Sequence, residues 1–170
     1  MFLLLVCAFL VVVNAVPYSG LIFIESEDKA VDGLQMSLQR QWKFSQDEFY
    51  YAFAVESLDA YQLNIFTLRD DGYLVGYNHT KALFAQTDGT YVSDSDRLLW
   101  FQPSQDHAMP LFNLTSPREM KLTYDGSPKF YVCNTTDLAH QAMNMNAVLL
   151  FKSDQTPETP CSKVSLKLLI

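Results

Sequence analysis

Short runs of alternating apolar and polar residues, separated by turn residues, follow one another along this chain. The clearest run is 164–168, where Val164, Leu166 and Leu168 occupy every second position and predict a half-buried strand with these three residues inward. Turn residues cluster at Asp32-Gly33, Asp70-Asp71-Gly72, Asp88-Gly89, 93–96 and Asp125-Gly126-Ser127-Pro128. Short aromatic and branched runs between such turns are typical of an all-β fold.

Further strands are predicted where aromatic and branched residues gather between the turns, at 20–24, 63–68, 73–77, 98–101 and 121–124. Two hairpins follow from the turn positions, 64–68 with 73–77 and 122–124 with 130–133. Ser45 and Glu48 have the spacing of a helix capping box, but apolar residues also alternate from Phe49 to Val55. We favour a strand there, because aromatic residues pack well on a pleated surface. The segment 136–145 fits either a short helix or an irregular loop.

The predicted fold is therefore all-β, a single compact antiparallel sandwich or barrel, with a β-trefoil-like arrangement as the alternative. The first residues are almost entirely apolar and predict a signal peptide over 1–15, with Val13 and Ala15 as the small residues before the cleavage point. This run is shorter than the roughly 20 residues of a membrane-spanning helix, and Pro17 follows it. We expect one secreted β domain over 16–170 and no transmembrane segment in the mature chain.

The cysteines and the sequons agree with an oxidising, extracellular destination. Because Cys7 lies in the predicted leader, the mature chain keeps Cys133 and Cys161, which we expect to form one disulfide. Three N-x-S/T sequons predict N-glycosylation, at Asn78, Asn113 and Asn134. Around the second sequon, strand periodicity points Phe112 and Leu114 to the face opposite the sugar.

Charge and the candidate catalytic residues narrow the function. The chain has 19 Asp and Glu against 12 Lys and Arg, a formal net charge of −7, so we expect no nucleic-acid partner. His79 lies inside a sequon and His107 in a polar loop, and neither accompanies a nucleophile motif. Glu25 and Glu56 fit the solvent face of a strand better than a catalytic pair. We therefore predict no enzyme activity and no cofactor.

Two sets of residues are considered as ligand sites, and only the second is kept. His140, Met143 and Met145 are too loosely spaced for a metal site and fit adaptable packing better, so we predict no metal. Trp42, with polar neighbours on both sides, is the candidate for stacking on a sugar ring. Trp100 instead lies in a run that predicts a core strand.

The carboxy-terminal third resembles a known family. Phe130-Tyr131-Val132-Cys133, Val148-Leu149-Leu150-Phe151 and 161–166 are similar to the closing strands of secreted, yeast-type fungal cell-wall mannoproteins, including Pir-like proteins. The hairpin segments 66–74 and 121–126 also look like those of such wall proteins. Because the chain lacks the repeated glutamine motif of the Pir type, the resemblance does not imply their covalent linkage to glucan.

Two functions from different classes follow. The first is a non-catalytic secreted glycoprotein that is a structural or surface component of a fungal cell wall, held there by its glycans and by noncovalent contacts with cell-wall polysaccharide. The alternative is a secreted β domain that binds a carbohydrate or a small ligand in an aromatic-lined cleft.

Overall fold

Strands make up all the regular structure in the described part of the chain. The computed structural model describes residues 17–41, 48–56, 64–79, 81–86, 96–128, 130–134, 146–151 and 161–170. Within these ranges the strands are β1 (Tyr18–Glu25), β2 (Gln35–Gln41), β3 (Phe49–Val55), β4 (Ile65–Leu68), β5 (Leu74–Asn78), β6 (Lys81–Gln86), β7 (Asp96–Leu98), β8 (Trp100–Gln102), β9 (Phe112–Leu114), β10 (Leu122–Tyr124), β11 (Phe130–Asn134), β12 (Asn146–Phe151) and β13 (Cys161–Leu169). The predicted leader 1–15 and the segment 136–145 lie outside the described residues.

Seven strands close into an antiparallel barrel. Around the ring, β1 pairs with β2, β2 with β3, β3 with β8, β8 with β6, β6 with β5 and β5 with β4, and β4 returns to β1. Closure of the ring gives each of these strands a neighbour on both sides, which removes exposed edges. The prediction of an antiparallel all-β fold is confirmed, and of the predicted architectures the barrel is the one found.

The remaining strands extend this sheet or cover it. From β1 the sheet continues through β13 and β11 to β12, and β12 pairs with both β7 and β3. The strands β9 and β10 form a separate hairpin.

Alternation along the strands selects the side chains of the core. In β13, Val164, Leu166 and Leu168 are all buried, as predicted. Phe66 of β4 and Phe101 of β8 are fully buried, and their ring centroids lie 5.9 Å apart. Each such side chain contributes about 1.5 to 3 kcal/mol through removal of its apolar surface from water.

The β9–β10 hairpin covers the end of the barrel at which the β4–β5 turn lies. Phe112 and Tyr124 belong to the core cluster, and their rings pack edge to face with centroids 5.0 Å apart. The Phe112 N–H donates to the Gly72 carbonyl at 3.0 Å, and the Leu168 N–H donates to the Met120 carbonyl at 2.9 Å. These two bonds attach the hairpin to the β4–β5 turn and to β13.

An ion-pair cluster lies towards the opposite end, near the β5–β6 turn. The Glu48 carboxylate contacts Arg40 of β2 at 3.3 Å and Lys81 of β6 at 2.6 Å. Strand periodicity puts Arg40 on the face of Leu38 and Lys81 on that of Leu83, both barrel-lining residues. The cluster therefore connects β2 to β6 beyond the apolar interior.

Of the two hairpins predicted from turn positions, one is confirmed and one is wrong. The strand over 49–55 is confirmed, as is the hairpin between β4 and β5. The predicted hairpin between 122–124 and 130–133 is wrong, because β10 pairs with β9 while β11 pairs with β12 and β13. The segment 125–128 does turn tightly, but the chain then leaves the hairpin for the larger sheet.

The predicted strand at 98–101 is divided in two. Its first part, β7, pairs with β12, whereas β8 pairs with β3 and β6. Leu99, between them, is buried, and its carbonyl accepts the Ala52 N–H at 3.1 Å. The break occurs because its two halves pair with strands in different parts of the sheet.

Candidate functional site

A groove of about 960 Å³ opens beside the β9–β10 hairpin. One wall is the β4–β5 turn with Tyr18 of β1, and the other is the hairpin itself. The lining residues are Tyr18, Leu68–Gly72, Pro110–Thr115, Pro117, Thr123, Asp125 and Gly126. Its volume falls in the range of small-ligand pockets.

Glycine and aspartate turns bring the two walls together. Gly72 has φ 84°, and a Cβ at this position would lie 2.5 Å from the Pro110 carbonyl oxygen. Asp125 and Gly126 in the opposite wall also have positive φ, at 50° and 71°. Residues of these types tolerate the left-handed conformation, so the turn motifs in the sequence shape both walls.

Two contacts join polar groups of the groove lining. Arg69 forms an ion pair with Asp71 at 2.5 Å, and its guanidinium lies 5.6 Å from the Tyr73 ring centroid. The Thr123 hydroxyl donates to the Asn113 carbonyl at 3.3 Å. The lining residues include carboxylates, hydroxyls and a guanidinium but neither histidine nor cysteine. This set suits hydrogen bonding to hydroxyl-rich molecules better than nucleophilic chemistry.

A sequon lies in the wall of this groove. Asn113 is exposed while Phe112 is buried and Leu114 half-buried, which is the alternation expected of β9. The Asn113 side-chain oxygen Oδ1 accepts the Leu114 N–H at 2.8 Å. Thr115, the hydroxyl residue of the same sequon, is exposed and also lines the groove.

The other two sequon asparagines lie at strand ends. Asn134 is exposed at the end of β11, and Asn78 is half-buried at the end of β5. His79 follows Asn78 with φ 54°, a left-handed position in the tight turn to β6. All three asparagines therefore have solvent-accessible surface, as an attached glycan requires.

The predicted disulfide is present. Cys133 of β11 and Cys161 of β13 are bonded, and they are directly paired residues of neighbouring strands with Cα atoms 4.4 Å apart. The bond joins two strands that are also linked by backbone hydrogen bonds, and it encloses β12 within its loop.

The two tryptophans were predicted to have different positions, Trp42 exposed and Trp100 in a core strand. Trp42, the predicted stacking residue, lies outside the described residues. The prediction that Trp100 lies in the core is wrong: Leu99 and Phe101 belong to the buried core, while Trp100 is half-buried on the opposite face of β8, with its indole Nε1 atom buried. Its ring centroid lies 5.2 Å from that of Phe49. Successive side chains of a strand point to opposite faces, so Trp100 lies on the face opposite Leu99 and Phe101 although all three belong to one apolar run.

The residues considered for catalysis are spread apart. His79 and His107 are exposed in separate turns, and Glu56 is exposed at the end of β3. Glu25 contacts Lys167 at 2.9 Å and Lys121 at 3.0 Å. Hydrogen bonds from Lys167 and then Lys121 hold the pKa of Glu25 below its ordinary value, which keeps it ionised rather than ready to donate a proton.

Metal-ligand clusters and membrane-spanning helices are both absent from the residue ranges that the structure describes. Those ranges contain no group of three His, Cys, Asp or Glu placed to hold a metal ion. Among the same residues, no helix has the length and apolar character needed to cross a membrane. His140, Met143 and Met145 lie outside the described residues.

Comparison of the chain with family models, curated proteins and solved structures finds no match. The sequence pointed to Asn113 and to the turn motifs at 70–72 and 125–126, but not to a groove between them. Tyr18, Arg69 and Pro110 carry no local signal of a site, because only the folded chain brings them beside Asn113.

Proposed function

We propose that this chain is a non-catalytic secreted glycoprotein that serves as a structural or surface component of a fungal cell wall. The observation that carries the proposal is the placement of the three sequon asparagines, all with accessible surface, on a disulfide-linked β-barrel. A closed barrel with attached glycans suits a structural role, because its backbone groups are paired and its sugars face outward.

The disulfide supports an extracellular address. Bonds of this kind persist in oxidising compartments and are rare where cellular thiols are kept reduced. Cys133 is buried and bonded to its directly opposite residue, Cys161, so the bond is part of the sheet.

The arrangement of the acids and bases favours a non-catalytic role. The Glu25 carboxylate is paired with two lysines, while His79 and His107 lie in separate exposed turns. A general base acts within hydrogen-bond reach of its nucleophile, a relation that none of these residues has in the described contacts.

The proposed location in a fungal cell wall rests on the resemblance of the closing strands to those of yeast-type cell-wall mannoproteins. The segments that carry the resemblance are β11, β12 and β13, which are neighbours in the sheet, with the disulfide between β11 and β13. These segments thus lie together in one part of the sheet.

Expression of the full chain in a yeast host tests the proposal. We expect the protein in the wall fraction, with glycans at sequon asparagines detected by glycopeptide mass spectrometry and lost in Asn→Gln variants. Recovery of all glycosylated protein from the medium would contradict the wall location. Retention inside the cell without glycans would contradict the proposal as a whole.

The contact between Trp100, which is half-buried, and Phe49 favours a second candidate, the binding of a carbohydrate. Trp100 and Phe49 form an aromatic pair on the outer face of the barrel, and such faces stack on sugar rings. Because the chain contains only two tryptophans, fluorescence titration with wall polysaccharides can be assigned with Trp42→Ala and Trp100→Phe variants. A response lost in one variant identifies the stacking residue, and no response in the unmodified protein would refute this candidate.

A further inference from the structure

The groove beside the β9–β10 hairpin contains an attachment point for sugar in its own wall. Asn113 and Thr115, the two defining residues of one sequon, both line it. Asn113 is in β9 and Thr115 directly follows the end of that strand, so both are held at the same edge of the groove. Among the three sequons, this is the one whose asparagine lines the groove.

The Asn113 side chain is oriented by a backbone bond. Its Oδ1 atom accepts the Leu114 N–H, so the amide is held at Oδ1 and the Nδ2 atom is not used in that bond. Since Nδ2 is the atom that carries an N-linked sugar, the first sugar begins at the groove surface. Attachment also gives that sugar a high effective concentration beside the groove walls.

The groove walls match the chemistry of a sugar. Arg69, Asp70, Asp71 and Asp125 offer charged donors and acceptors to hydroxyl groups, and Tyr18 offers an aromatic ring. Pro110 and Leu111 add apolar surface beside Phe112. Sugars combine hydroxyls with apolar ring faces, so a mixed lining of this kind suits them better than a purely apolar molecule.

We propose that the groove holds the first sugars of the glycan attached to Asn113, so that this glycan packs on the barrel while those of Asn78 and Asn134 extend into solvent. The proposal rests on the proposed function, since it requires a glycosylated chain. It assigns the groove an occupant from the same molecule, and the occupied groove is then closed to a soluble ligand.

Site-resolved enzymatic deglycosylation of the native protein tests this proposal. Peptide N-glycosidase is added to the folded glycoprotein, and the remaining glycan at each asparagine is followed by mass spectrometry. We expect release from Asn113 to be about tenfold slower than from Asn134, a factor that corresponds to only about 1.4 kcal/mol of groove contact.

A double variant of the groove wall tests whether slow release from Asn113 comes from contact of the glycan with the groove or from the rigidity of the strand. Arg69→Ala combined with Asp71→Ala removes polar groups from the wall, and both side chains are exposed enough for the fold to tolerate the change. Release from Asn113 should then approach that from Asn134. The matched control is Lys29→Ala with Asp32→Asn, which removes an exposed pair in a different turn and should leave release unchanged.

A second measurement does not depend on any variant. With isotope-labelled N-acetylglucosamine in the glycan, proton NOEs are expected between the first sugar of Asn113 and the Tyr18 ring. Their absence, or equal release from Asn113 and Asn134, would overturn the groove assignment.

Occupancy distinguishes failure of this proposal from failure of the proposed function. A bare Asn113 with glycans at Asn78 or Asn134 would refute the groove proposal and leave the glycoprotein proposal intact. Absence of glycan from all three asparagines would refute both.

Discussion

At the scale of single residues, Gly72 decides how closely the β9–β10 hairpin approaches the barrel. Its φ of 84° favours glycine, and its Cα faces the Pro110 carbonyl so closely that a Cβ would lie 2.5 Å from the oxygen. Gly126 in the opposite turn has φ 71° but nothing within 4 Å of an added Cβ. The two glycines therefore share a backbone requirement and differ in the space around them.

Gly72→Ala should destabilise the protein more than Gly126→Ala. Left-handed backbone alone costs a non-glycine residue about 1 to 2 kcal/mol, so Gly126→Ala should cost about that much. Gly72→Ala adds the clash with Pro110 and should also displace the hairpin. Denaturant unfolding of both variants measures the difference, and equal losses would show that close approach is not the constraint at position 72.

At the scale of elements, alternation identified strands, and in β13 the inward face, but in β3 the core face is that of Tyr50, Ala52 and Ala54 rather than of the alternating residues from Phe49 to Val55. Alternation also could not identify the partners of the strands. The density of aromatic residues from Phe49 to Val55 was sufficient to prefer a strand over a helix, and the strand is confirmed. The alternation around Asn113 likewise agrees with β9, Phe112–Leu114. The predicted partner of β10 was nevertheless wrong, because its neighbour β9 lies before it in the chain while the turn at 125–128 pointed to the segment after it.

Removal of the disulfide tests how strongly β11 and β13 depend on each other. The bond closes a loop with a sequence separation of 28 residues. For a loop of such length the chain-entropy model predicts a loss of about 3 to 4 kcal/mol. Cys133→Ala with Cys161→Ala should lose about this much free energy of unfolding. A reducing agent should lower the stability of the unmodified protein but not of the variant, and insensitivity of the unmodified protein would contradict the prediction.

At the scale of the whole molecule, Glu25 connects three parts of the fold. It lies at the end of β1, pairs with Lys167 of β13 and also pairs with Lys121 at the start of the β10 region. The Lys167 and Lys121 hydrogen bonds lower the pKa of Glu25 from its ordinary value of 4.5. A lowered folded-state pKa means that the contribution to stability is present above the unfolded pKa and is lost as pH falls.

Glu25→Gln should therefore reduce stability at neutral pH and matter less in acid. The difference in free energy of unfolding from the unmodified protein should shrink as pH falls below about 4.5, the pKa expected of the unfolded side chain. Because the side chain of Glu25 is 38% exposed, solvent screening keeps the effect small. Glu56→Gln, an exposed acid at the end of β3, is the control. A difference that stays constant with pH would contradict the assigned role.

The candidate site was predictable only in part. The sequons at Asn78, Asn113 and Asn134 are written in adjacent residues, and strand periodicity predicts that Asn113 faces outward. The groove depends instead on contact between the β4–β5 turn and the segment around Pro110, which are distant in the chain.

The buried Asn64 is a second residue whose role could not be predicted from the sequence. Its side chain accepts the Leu38 N–H at 2.7 Å and donates to the Tyr77 carbonyl at 3.0 Å. Nothing in its neighbours predicts that it connects β2 to β5.

The sequence by itself determined the all-β character, the inward faces of strands such as β13, the two cysteines available for a disulfide and the asparagines available for glycans. Each of these follows from residue type or from a period of two along a single strand, which are local properties. Only the tertiary structure decided that seven strands close into a barrel, that β10 pairs with β9, that Trp100 faces outward, and that Asn113 borders a groove. The physical reason is that partner choice depends on contacts between residues far apart in the chain, which a local pattern does not encode.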